Sequence, residues 1–233
     1  MTKSHVFLNL YRNLEEALKV KYNGQTLHYS SLVMEYMNTD GKKYFEVLDF
    51  CRELRNLLSH HSDIGGSAPV DPSDELISTL EKIIYEIEHP LTAQQMIIPT
   101  SRLVFATRDE NVGELLDKMT EKGYSHIPVF RNDKLFGVLS IDAVFRFMKS
   151  NPGKTPESIK VSDMDEYLPT ESHVYERYGF VSKNETAAKV KELFRASGPG
   201  SARMAAVFVT EDGTKNSKVV GMITPWDVIK KEN

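Results

Sequence analysis

Two sets of residues have the types and spacing to do chemistry. Near the C-terminus, Gly221-Met222-Ile223-Thr224-Pro225-Trp226-Asp227 places a hydroxyl and a carboxylate three positions apart, directly after an apolar run that begins at Val219. The run reads as a strand ending at Thr224, and Pro225 suits the first position of a helix, so the backbone turns from strand into helix there. Such a junction offers unpaired N–H groups and partial positive charge to a phosphate. Thr224 adds a hydroxyl, and Asp227 can accept from a pair of ribose hydroxyls. The same pair also reads as a helix capping box, worth about 0.5–2 kcal/mol with no ligand involved. The second set is Arg55-Asn56-Leu57-Leu58-Ser59-His60-His61. Arginine is a rigid fork for phosphate and histidine moves protons near neutral pH, the abilities that metal-free cleavage of RNA needs. Asn56 and His60 are one helical turn apart, and His61 is an alternative partner for Arg55. Cations at this place also complement the end of a helix without any substrate.

The elements that must hold the first set occur twice. Gly137-Val138-Leu139-Ser140-Ile141-Asp142 repeats the pattern of the stretch from Gly221 to Asp227, and internal repetition implies a duplicated unit. A helical segment from Asn111 to Lys122 closed by Gly123, the strand-like run His126 to Phe130 and a turn at Asn132 and Asp133 precede the first copy. A helical segment from about Asn184 to Ala196, the break Gly198-Pro199-Gly200 and the run Met204 to Val209 precede the second. The polar stretch Glu211 to Ser217 reads as a lengthened hairpin loop. Trp226, in the first turn of its helix, reads as packing against the neighbouring repeat, with stacking on a base as the alternative.

On Gly123-Tyr124-Ser125-His126-Ile127-Pro128-Val129, Gly137 to Asp142 and Gly221 to Asp227, the second half of the chain resembles a tandem pair of CBS domains, the Bateman module. The resemblance implies an adenine-nucleotide site in which Thr224 and Asp227 meet phosphate and ribose, and in which Ile98 borders the adenine. Met96 and Ile98 read equally as apolar contacts to a purine or as core. Ser125 and His126 stand where family members often contact phosphate, and Arg203 aligns with Ser125 as a fixed cation. Ser140 is the hydroxyl of the first copy, but the acid Asp142 comes one residue early, a rotation of about 100° on a helix. The resemblance therefore implies one good nucleotide site around Thr224, Asp227 and Arg203 and a weaker or empty second one.

The first ninety residues read differently. Val6, Phe7, Leu10, Leu14, Ala17 and Leu18 recur at helical spacing from Ser4 to about Tyr22, and a shorter helix runs from Ser31 to Met37. Tyr44, Val47, Leu48, Cys51, Leu54, Leu57 and Leu58 line a third helix through to His60 or His61. After a loop with Gly65, Gly66 and Pro69, Asp71 and Pro72 open a fourth, which His89-Pro90 closes. Four amphipathic helices with short connections imply a bundle. With Arg55, Asn56 and His60 late in the long third helix, this part resembles the HEPN family. That resemblance implies a symmetric dimer and, in ribonuclease members, a composite site in which the arginine stabilises phosphate while the histidine assists attack.

Composition bounds these readings. With 233 residues, 40% hydrophobic and 27% charged, there is chain for two cores. A net charge of -4 argues against general affinity for nucleic acid. The single cysteine, Cys51, excludes an intramolecular disulfide and reads as a small buried apolar residue in a reducing interior. No apolar run approaches a membrane span and no signal peptide opens the chain, which implies a cytoplasmic protein. The histidines are scattered, and His60-His61 beside Asp63 makes a poor ligand set, so no metal site is expected.

The expected fold is α+β: an all-α bundle over residues 1–90, then CBS repeats over 95–150 and 160–233. The expected function is noncatalytic regulation, in which a homodimer senses an adenine nucleotide (AMP, ADP, ATP, a cyclic dinucleotide or S-adenosylmethionine) and signals to the helical part, with no required cofactor. Two alternatives stand beside it. One is a nucleotide-regulated ribonuclease using Arg55 and His60, with RNA or a protein as partner of the helical part. The other is a CBS pair that only holds a dimer together.

Overall fold

A computed structural model describes residues 2–60, 70–132, 134–196 and 202–230. His61, Asp63, the glycines and proline at 65, 66 and 69, Asp133 and the break at 198–200 lie outside them. The chain divides into two compact units, Met1–Pro90 and Leu91–Asn233.

In the first unit, α1 (Lys3–Lys21), α2 (Leu32–Asn38), α3 (Phe45–His60) and α4 (Asp74–Glu88) share a core that includes Phe7, Leu14, Leu18, Leu48, Leu80 and Ile83, all fully buried. The apolar stripes read from the sequence are the faces that meet, because only those faces remove enough carbon from water to order the helices. Cys51 is fully buried among them, and burial pushes its thiol up to about 11. The fourth helix does not open at Asp71-Pro72. It starts after Ser73, whose Oγ accepts from the Leu76 amide at 3.1 Å and so supplies the cap.

Among the described residues, the second unit holds two hydrogen-bonded sheets. One is the antiparallel hairpin of β2 (His126–Arg131) and β3 (Lys134–Ser140), turned at Asn132 with a positive φ of 53°. The other has the order β1-β6-β5-β4, formed by β1 (Ile98–Pro99), β4 (Glu176–Ser182), β5 (Arg203–Thr210) and β6 (Val219–Ile223). The helices α5 (Val112–Lys122) and α6 (Ile141–Ser150) belong to the first repeat, and α7 (Ala187–Arg195) and α8 (Pro225–Lys230) to the second. Gly123 ends α5 in the left-handed region, φ 67°, as its place after Lys122 predicts. Helix α7 starts later than Asn184 because Thr186 caps it, accepting from the Lys189 amide at 3.2 Å.

Each repeat lends its leading segment to the other. Ile98 and Pro99, at the head of the first repeat, pair with Met222 and Gly221 of β6. Leu168, at the head of the second, accepts a hydrogen bond from the Val138 amide of β3 at 2.8 Å. The recurring glycines make this exchange feasible. A Cβ on Gly137 would overlap the Leu168 carbonyl group, and one on Gly221 would come within 2.7 Å of the Ile98 oxygen. Between the sheets, Leu135 and Val138 pack on Ala206, Phe208, Val219 and Met222 in one shared core.

Two expectations are corrected here. Strand β4 was not anticipated; it pairs in parallel with β5 at the edge of the sheet, a contact that only the folded chain creates. Trp226 does not pack on the neighbouring repeat but is 72% exposed.

Candidate functional site

At the end of β6, Asp227 Oδ2 accepts from the Thr224 amide at 2.8 Å and from the Thr224 hydroxyl at 2.6 Å. The strand-to-helix turn read from the sequence is present, and its two polar side chains are already joined as a cap. Both bonds fall on one carboxylate oxygen; among the described residues no hydrogen bond ends on the other. Ile98 lies opposite Met222 across the β1–β6 ladder, two residues from Thr224, and is half-buried, whereas Met96 is 3% exposed and belongs to the core.

The other candidates gather elsewhere, around a residue that spacing did not suggest. Glu176 opens β4 and is 7% exposed. His126 Nε2 lies 3.0 Å from its Oε1, and the Tyr178 hydroxyl donates to its Oε2 at 3.1 Å. His173 Nδ1 stands 3.7 Å from Oε2 and Arg203 Nη2 3.8 Å from Oε1. Behind these, Ser125 Oγ is 2.7 Å from His126 Nδ1, and Ser140 Oγ is 3.5 Å from His173 Nδ1. The His126 ring thus reaches Glu176 through one nitrogen and Ser125 through the other. Ser140 is fully buried and caps α6 by accepting from the Ala143 amide at 3.1 Å. Burial alone would raise the Glu176 carboxyl, but hydrogen bonds from His126, His173 and Ser140 and the His126 charge outweigh it and hold the group well below the usual carboxylate range. The Tyr178 hydroxyl is pushed far up, by burial and then by the Glu176 charge.

The expected site is therefore split. Thr224, Asp227 and Ile98 lie at one place; Ser125, His126, Ser140 and Arg203 ring Glu176 at another. Arg203 forms no ion pair with Asp227 among the described residues. Asp142, one residue early for a ribose contact, instead takes Arg146 Nε at 3.0 Å. A cleft of about 480 Å³, within the range of small-molecule sites, opens beside the second cluster. Its lining includes Thr170, His173, Glu176, Tyr178, Phe180 and Lys215, but neither Thr224 nor Asp227. Spacing missed His173, Glu176 and Tyr178. The signal was a second repeat, Ile98-Pro99-Thr100 against Leu168-Pro169-Thr170, which marks the strand that follows.

In the helical unit, Arg55 Nη1 donates to Asn56 Oδ1 at 3.3 Å, and the guanidinium lies 5.9 Å from the Tyr11 ring centroid. The side chain of His60 lies outside the described residues.

The family model described as CBS domain matches residues 95–150 and again 173–232. The second half of the chain is a tandem CBS pair. The second match starts at His173, after the leading segment that the structure shows crossing to β3. Among solved structures, the chain is similar to a CBS domain-containing protein from Bacillus anthracis, with 17% identity, 61% of this chain and 93% of that one covered, and a TM-score of 0.44. It is also similar to a conserved protein from Geobacillus kaustophilus, with 19% identity, coverage of 62% and 97%, and a TM-score of 0.45. A third is CBSX2, solved in complex with AMP, with 16% identity, coverage of 60% and 95%, and a TM-score of 0.44. Comparison with curated proteins returns no match. CBS pairs are nucleotide-binding regulatory modules. Among the described residues, no helix is long and apolar enough to cross a membrane, and no cluster of three or more histidine, cysteine or acidic side chains is arranged to hold a metal.

Proposed function

We propose that the CBS pair binds an adenine nucleotide at the end of β6 and passes its occupancy to the helical unit. The observation that carries this reading is the Thr224–Asp227 pair at the strand-to-helix turn, with one carboxylate oxygen engaged by the cap and the other available to a ribose diol. Ile98 supplies an apolar wall two residues away along the ladder. The Thr224 hydroxyl and the Trp226 amide are the donors at this turn for a phosphate, since Pro225 has no N–H and the Asp227 amide bonds the Thr224 oxygen. Regulation follows only if the ligand favours one arrangement of the protein over another, since a ligand of equal affinity shifts nothing. A homodimer is part of the reading: Phe145 on α6 and Ile229 on α8 hold matching places in the two repeats, and with Ile141 and Trp226 they leave more than half of their surface to solvent.

Thermal unfolding against AMP, ADP, ATP, a cyclic dinucleotide and S-adenosylmethionine tests the site. A ligand at a hundred times its dissociation constant stabilises by about 2.7 kcal/mol, which for a chain of this size is a rise of about 5–11 °C. Asp227→Ala is expected to abolish the rise. A rise that survives in the variant, or none with any of these ligands, would overturn the assignment.

A further inference from the structure

We propose, on the nucleotide-binding reading given above, that Glu176, a residue of the second CBS repeat, is a resident anion against the hairpin of the first: its carboxylate fills the place among His126, Tyr178 and Arg203 that an anionic ligand group would take, so each chain binds one nucleotide and not two. The groups around Glu176 are those that recognise phosphate: two imidazoles, a guanidinium, a phenol and, one step back, two serine hydroxyls. They come from both repeats. His126 and Ser140 stand at the ends of β2 and β3, whereas Arg203 opens β5. A carboxylate buried this deeply needs such partners to stay charged, and it takes the His126 Nε2 and the Tyr178 hydroxyl. Glu176 lines the cleft beside the cluster together with Arg177 and Lys215, and at Glu176 itself a phosphate meets a negative charge.

The two repeats differ at this position in a way that supports the asymmetry. Ala106 pairs in parallel with Val129, opposite Gly137, as Val181 pairs with Val209, opposite Gly221, so Ala106 corresponds to Val181. Asn111 and Thr186 cap the helices that follow, so between Ile98 and Ala106 the first repeat is five residues shorter than the second is between Leu168 and Val181. Glu176 belongs to that longer stretch of the second repeat.

The test uses the full chain and two probes, AMP and inorganic phosphate. Wild-type protein is expected to bind one AMP per chain by isothermal titration and to melt at the same temperature in phosphate as in chloride of equal ionic strength. Glu176→Ala is expected to bind two AMP per chain and to gain a phosphate-dependent rise in melting temperature. Adding Asp227→Ala should return the variant to one AMP per chain. Wild-type stoichiometry and wild-type phosphate response in Glu176→Ala would overturn the proposal. If wild-type protein binds no AMP, the reading of Thr224 and Asp227 fails, and the phosphate comparison still decides the role of Glu176. Should far-UV circular dichroism show that the alanine variant does not fold, Glu176→Ser, which leaves His126 a hydroxyl partner, takes its place.

Discussion

Replacing Gly137 by alanine tests the exchange of leading segments on which both sites depend. A Cβ there would overlap the Leu168 carbonyl group and come within 2.9 Å of the Leu168 Cβ. The backbone of 168 must then move away from β3. Overpacking of this kind costs about 1–3 kcal/mol, and the Val138 amide loses its bond to Leu168, about 1 kcal/mol more. The total, about 2–4 kcal/mol, corresponds to a fall of about 4–16 °C in the melting of the CBS unit at about 2–4 °C per kcal/mol. The same carbonyl accepts from His173 Nε2 at 3.3 Å, so the shift also reaches the cluster around Glu176. Gly179→Ala, in the middle of β4, is the control: the atoms nearest its new Cβ are the Val207 Cγ2 at 3.3 Å and the Met204 sulfur and Cε at 3.5 and 3.6 Å, side-chain atoms that can give way. Differential scanning calorimetry of the two variants is the assay. Equal melting of Gly137→Ala and wild type, or an equal loss in both variants, would refute the steric reasoning.

Acid stability and thiol chemistry supply two further checks, alongside the Asp227 and Glu176→Ala experiments. Because the folded Glu176 carboxyl is depressed, it contributes stability above the unfolded value of about 4.3, and that contribution fades as pH falls toward the folded value. Wild type should therefore melt about 3–12 °C above Glu176→Gln at pH 7, for hydrogen bonds to a charged group worth about 1.5–3 kcal/mol. The gap should narrow below about pH 5, and a gap that widens on acidification would contradict the assignment. Cys51, fully buried with its thiol raised to about 11, should stay silent to Ellman's reagent at pH 8 in the native protein and give one equivalent in denaturant. Prompt reaction of the native protein would place the residue outside the core.

Local pattern was enough to read many of the elements. The stripe on α1 from Phe7 to Leu18, the stop at Gly123 and the turn from strand to helix at Thr224 are decided by neighbours within a few residues, and the sequence carries them openly. The duplicated Gly137 and Gly221 likewise announced two repeats, although their reason, the close approach of a backbone from the other repeat, is visible only in the fold. Spacing could not foresee Glu176. Its strand pairs in parallel with β5, and its partners His126 and Arg203 come from distant parts of the chain. Nor could spacing separate Arg203 from Thr224, since one belongs to the start of a strand and the other to the end of the next. Helix, cap and turn are short-range properties of the chain, legible in order. Which charges face one another across two interlocked repeats depends on register and burial, and those exist only once the leading segments have crossed.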